Sequence, residues 1–233
     1  MSGEDIMRDD VLATVEAEYR ADPLSEIAWD DPYPQRMLPG SEAPEDAYSR
    51  VSEPARYRIL GARARAWERA LERLGLGHTE SATLPTSWTF QPEHPRARAV
   101  VPRRADAQPL VLVDGALEGV AGTVVAVGMG DPRGGSEPVL LDWVPDCGCD
   151  ACDSGSVDLL EALDQEILTV VGGALHVSGG RGRRRWVAWT TPEGHRASGL
   201  GIPRDLSRVL DDARAGRARR GCEVLRGEPW WGG

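Results

Sequence analysis

Residues 139–171 read VLLDWVPDCGCDACDSGSVDLLEALDQEILTVV. Val139, Leu140, Leu141, Trp143 and Val144 make a short apolar run that reads as a buried strand. Val157, Leu160, Ala162, Leu163, Ile167, Leu168 and Val171 recur close to the three-and-four spacing of an amphipathic helix. Ser154 or Ser156 is placed to cap that helix. Asp158 and Glu161 stand near its start, where the helix dipole favours negative charge. Between strand and helix lie Cys147, Cys149 and Cys152, three of the four cysteines within six positions. The unit is strand, cysteine corner, helix.

Outward from this unit the pattern mixes helices with short strands. Helical spacing is visible over residues 4–19, with Ile6, Val11, Leu12, Val15 and Tyr19 on one side. It recurs over 54–74, through Tyr57, Leu60, Ala64, Trp67, Leu71 and Leu74, with Arg56, Arg63, Glu68, Arg69, Glu72 and Arg73 occupying much of the remainder and Gly75 and Gly77 as the stop. Strand-like runs fall at 87–90, 98–102, 110–113, 123–127, 174–177 and 184–190, joined by short Gly/Asp/Pro turns that favour antiparallel pairing. Trp186 and Trp189, an odd number apart, should face opposite sides of their strand. Pro203 opens a last helix carrying Leu206, Val209, Leu210 and Ala213. The expected fold is α+β: a mostly antiparallel sheet with two or three packed helices on one face and an irregular acidic N-terminal arm. The expected division is arm 1–50, core 51–195, and C-terminal helix with Arg-rich tail 196–233.

The charge is unevenly placed. Residues 1–50 hold four Arg against 13 acidic residues, so nearly all of the net −10 sits there and the body is close to neutral. Such a chain gains little from a polyanion, because counterion release needs clustered cations, and nucleic acid is not expected as a partner. All 27 basic residues are Arg, which reads as codon bias from a GC-rich genome. The N-terminus lacks a basic-then-apolar leader pattern, and no apolar run approaches membrane-spanning length. A cytoplasmic protein with reduced thiols is expected, and no membrane contact. Trp29, Tyr33, Met37 and Leu38 interrupt the proline-rich arm and suggest a strap lying on the body. An acidic arm with aromatic anchors can instead bind a partner protein.

The cysteines allow three readings. Zn²⁺ takes four soft or borderline donors in a tetrahedron, and closely spaced Cys supply several from one turn. Cys147, Cys149 and Cys152 would be three of them, with Cys222, His176 or His195 as the fourth. Cys149 and Cys152 before a helix also look like a thioredoxin-type dithiol, in which the helix N-terminus lowers a thiol pKa. Against this, Asp142, Asp146, Asp150, Asp153 and Asp158 surround the cysteines with no Arg between Arg133 and Arg181, a field that raises thiol pKa. The plain alternative is a tight corner whose cysteines fill small spaces.

Other chemistry is thinner. Arg181, Arg183, Arg184 and Arg185 beside Trp186 have the makings of a phosphate or single-strand grip, but such Gly/Arg turns commonly just face water. Arg214, Arg217, Arg219 and Arg220 are placed to pair with the acidic arm. His176 and His195 are candidate general bases without a nucleophile placed by spacing. No phosphate loop and no dinucleotide fingerprint is present.

Three stretches carry a family likeness: YSRVSEPARY at 48–57, RADAQPL at 104–110, and PDCGCDACD at 145–153. In this order they resemble an uncharacterised actinobacterial family of unknown function, over about residues 45–195. The resemblance implies a soluble bacterial domain and carries no activity, cofactor or catalytic residue. The reading is therefore a binding or interaction protein with a metal-stabilised cysteine corner, the alternative being a thiol-dependent redox enzyme working through Cys149 and Cys152.

Overall fold

The computed structural model describes residues 6–92 and 94–232. Helix α1 (Arg8–Arg20) carries Val11, Val15 and Tyr19 at a spacing of four, and all three are buried against the next helix. Asp10 at its start accepts the Met7 N–H at 2.8 Å. Helix α2 (Arg58–Arg73), entered through a short 3₁₀ turn (Pro54–Tyr57), is buried nearly all round. Gly61 lets it lie directly on the sheet, since a Cβ there would sit 2.8 Å from the Gly122 carbonyl oxygen. Gly61→Ala is expected to cost about 1–3 kcal/mol by overpacking, read from urea melts.

Charged residues of α2 are buried along with its apolar face. Arg63 and Glu68 are both buried. Arg63 donates to Asp164 at 2.7 and 2.9 Å and to Glu16 at 2.9 Å, tying α1 and α2 to the helix after the cysteines. Glu68 pairs with Arg98, which also makes a two-pronged pair with Asp114 at 2.7 and 3.0 Å. Buried charges persist only when paired in this way.

Two antiparallel sheets form, where one was expected. The first runs β1 (Gly77–Ala82), β2 (Arg96–Pro102), β3 (Leu110–Leu117), β4 (Val120–Met129), β5 (Val139–Val144) in chain order. The second is ordered β8 (Gly194–Gly199), β7 (Trp186–Thr191), β6 (Leu175–Gly179), β9 (Glu223–Arg226). Helix α3 (Ser156–Val171) packs into one apolar core with both sheets, and α4 (Leu206–Arg214) covers the far face of the second. Trp186 and Trp189 do point opposite ways: Trp186 joins the α4 cluster and Trp189 the main core. The fold is the expected α+β with mostly antiparallel sheet, and it has four α-helices among the described residues.

Residues 87–90 are not a strand. They belong to a loop that lays Trp88 over the outer face of the first sheet, with its Nε1 donating to the Pro138 carbonyl at 2.8 Å. The C-terminal stretch returns to the body: Trp230 is buried in the main core and its N–H meets the Val171 carbonyl at 2.9 Å. No helix among the described residues is long and apolar enough to cross a membrane.

Candidate metal centre

Strand β5 ends at Val144, and the chain reaches α3 through a 3₁₀ turn at Asp150–Cys152. That turn, closed by the Cys152 N–H on the Cys149 carbonyl at 3.0 Å, folds the thiols back on one another. The three Sγ atoms of Cys147, Cys149 and Cys152 lie within 4.8 Å of one another, with Cys147 and Cys149 at 3.3 Å. Cys149 is buried beside Ala43, Ala47 and Tyr33 of the N-terminal segment, whereas Cys147 and Cys152 are exposed. All four cysteines are free thiols.

The acidic surroundings expected from the sequence are answered from far away in the chain. Asp150 accepts from Arg50 Nε at 2.7 Å and from Ser52 through its N–H at 2.8 Å and its hydroxyl at 2.6 Å. Burial raises the Asp150 pKa, but these partners outweigh it and hold the group down at about 2. Asp153, almost fully buried, accepts from Trp29 Nε1 at 2.9 Å and the Gly155 N–H at 2.8 Å and pairs with Arg56. Arg36 donates to the Asp153 carbonyl at 2.9 Å. The residues that neutralise the corner thus come from 36–56, about a hundred positions upstream.

The thiols split, against the expected rise. Burial raises Cys149, yet the neighbouring thiols and the N–H groups of Cys152 and Ala151 outweigh it and its pKa is lowered. Cys152 is pushed up to about 12, first by sharing a hydrogen bond with Cys149 and then by burial. Neither expected serine caps α3. The N-cap is Gly155 at φ +87°, where a Cβ would fall 2.8 Å from the Asp31 nitrogen, and Ser156 instead bonds Trp29 through its N–H and hydroxyl. The helix N-terminus is therefore covered by the crossing N-terminal segment.

The structure does not bring the expected fourth donor to this corner. Cys222 packs on the apolar cluster beneath α4, His176 sits on β6, and His195 is exposed on β8. His176 is pushed down to about 4 by burial, with Glu223 opposing, so it is neutral at pH 7. The Arg181–Arg185 turn is exposed throughout. Arg214, Arg217 and Arg219 pair with Asp211, Asp212 and Asp205 rather than with the N-terminal arm, whose Glu16, Glu18 and Asp22 pair with α2 arginines. Trp29 and Tyr33 of the arm are packed, but Met37 and Leu38 stand exposed.

Two residues beside the corner escaped the sequence reading. Cys147 and Cys152 line a cleft of about 240 Å³ together with Asp142, Glu166 and Arg196. Glu166 is 2% exposed, pairs through Oε1 with Arg196, and its Oε2 has no partner. Burial and the like charge of Asp142 outweigh Arg196 and raise its pKa to about 7. A carboxyl raised on folding stabilises fully below its unfolded pKa and loses that contribution as pH rises through the folded value. Wild type should therefore lose roughly 2–3 kcal/mol, relative to Glu166→Gln, between about pH 4.5 and 7.5. Paired urea melts across that range check this. The opposite contribution of His176 is common to both proteins and cancels in the difference.

A family model described as a family of unknown function (DUF6226) matches residues 15–232. No curated protein and no solved structure matches the chain.

Proposed function

The chain belongs to the DUF6226 family, and on that footing we propose that it is a cytoplasmic binding protein whose cysteine corner holds a metal ion, Zn²⁺ being the fit for clustered thiolates. The observation that carries this is the gathering of three Sγ atoms within 4.8 Å. Thiolates at about 2.3 Å from a tetrahedral Zn²⁺ stand about 3.8 Å apart, so only small side-chain shifts separate this arrangement from a coordinated one. The lowered pKa of Cys149 favours the thiolate a metal needs. Positive charge from Arg36, Arg50 and Arg56 relieves the repulsion of adding thiolates among carboxylates. A fourth position is left to water or an external donor. The ion's role is structural: it fixes the turn on which Asp150 and Asp153 anchor residues 29–56.

A second reading draws on the closeness of Cys149 and Cys152, whose sulfurs a single turn brings together as in a dithiol that cycles through a disulfide. Metal analysis by mass spectrometry on untagged protein, with thiol titration, separates the two. One zinc per chain with protected thiols is the expected result. Metal-free protein with one fast-reacting thiol would transfer the assignment to redox chemistry, and metal-free protein with inert thiols would remove both.

A further inference from the structure

The two sheets leave a groove of about 950 Å³ between them. One wall is β5, whose residues 139–143 all line it. The floor is a single face of the second sheet. His176 pairs with Trp189, Trp189 with Arg196, Ser178 with Val187, and Val187 with Ser198, so these side chains share one side. Strand β5 is the last of its sheet, and its outer edge has no strand beside it. Trp143 shows the consequence: its N–H donates to the Oδ1 of the adjacent Asp142 at 2.9 Å rather than to a ladder. Trp189, 93% buried and lining the groove, has an indole Nε1 with no acceptor. The cleft holding the unpartnered Glu166 Oε2 adjoins, sharing Asp142, Trp143 and Arg196 with the groove.

The charge in the groove is unbalanced toward acid. Glu137, Asp142 and Glu223 face Arg185 and Arg196; Asp142 and Arg196 engage each other and Glu137 is held by Thr86 and Ser87, which leaves Glu223 as the acid with no cation beside it. Glu223 has only a long contact, 3.4 Å, from the Ser178 hydroxyl.

We propose that this groove takes an extended, basic peptide segment of a partner protein, added as a strand to the outer edge of β5. A peptide backbone offers carbonyl oxygens and N–H groups to the outer edge of β5, and a ladder acceptor can replace the Asp142 carboxylate on the Trp143 N–H. Every second side chain of such a strand faces the second sheet, where Lys or Arg meets Glu223. The edge spans six residues, enough to register a hexapeptide. This deepens the binding-protein reading and does not depend on the metal.

The test uses the full chain and two fluorophore-labelled peptides, KVKVKV and EVEVEV, read by anisotropy and by amide hydrogen exchange. The expected result is binding of KVKVKV, slowed exchange confined to 139–144, and binding weakened up to about fivefold by Glu223→Gln. Trp143→Pro, which removes an N–H not used by the ladder, should abolish binding, and Glu223→Gln carries the test if the proline variant melts early. Equal binding of EVEVEV, unchanged exchange at 139–144, full competition by butylamine alone, or self-association through β5 would each overturn the proposal. Zinc measured on the same sample keeps the readings apart: metal-free protein that binds KVKVKV removes only the metal, and zinc-loaded protein that ignores it removes only the groove.

Discussion

Asp153→Ala should lower stability by about 3–5 kcal/mol, the cost of stripping a buried ion of its counter-charge. The Asp153 side chain is fully buried and serves three donors at once: Trp29 Nε1, the Gly155 N–H and Arg56. Alanine leaves a mostly buried guanidinium with no carboxylate, and two N–H groups with no acceptor. Arg56 also lies over the Trp29 ring at 4.8 Å, and Trp29 packs edge-on to Tyr57 at 5.4 Å. The loss should therefore spread along the crossing segment and appear as early proteolysis within residues 29–56. Asp153→Asn keeps acceptors for Trp29 and Gly155 and should cost less. Equal melts for wild type and alanine variant would show that the segment is held elsewhere.

The second large effect belongs to the thiols. Replacing Cys149 and Cys152 together by Ala should abolish zinc uptake and remove about 4 kcal/mol of stability when free zinc stands a thousandfold above its dissociation constant. Without metal, the same substitution should cost far less, because Cys152 is exposed and only Cys149 fills buried space. Melts with zinc and with chelator separate these contributions. If the double variant melts like wild type under both conditions, the corner has no structural ion.

Apolar periodicity made much of the fold legible. Helices α1 to α4 follow their spaced Val, Leu and Trp residues, and the opposed faces of Trp186 and Trp189 follow from parity alone. Strands β1, β8 and β9 were not visible. Sequences such as GHTESA and HRASG are mostly polar, and as edge strands they take their conformation from backbone pairing with one neighbour. Without β8 and β9 the second sheet could not be separated from the first.

At the site, three thiols within six residues were legible because a single turn brings them together. Their electrostatic partners were not. Arg50 and Arg56 reach Asp150 and Asp153 across about a hundred residues, and no local pattern encodes such a pairing. Helical spacing likewise left the burial of Arg63 and Glu68 unread, because periodicity reports the most apolar face and is silent when the opposite face is buried against charged partners. Glu166 escaped for the same reason. Val157 errs in the other direction: counted in the apolar stripe of α3, it stands 73% exposed in the first turn.

Zinc K-edge X-ray absorption on protein loaded with one equivalent of Zn²⁺ bears most directly on the metal corner. The expected spectrum has three sulfur scatterers at about 2.3 Å and one lighter donor at about 2.0 Å. A shell of nitrogen and oxygen alone, or protein that takes up no zinc, would contradict it.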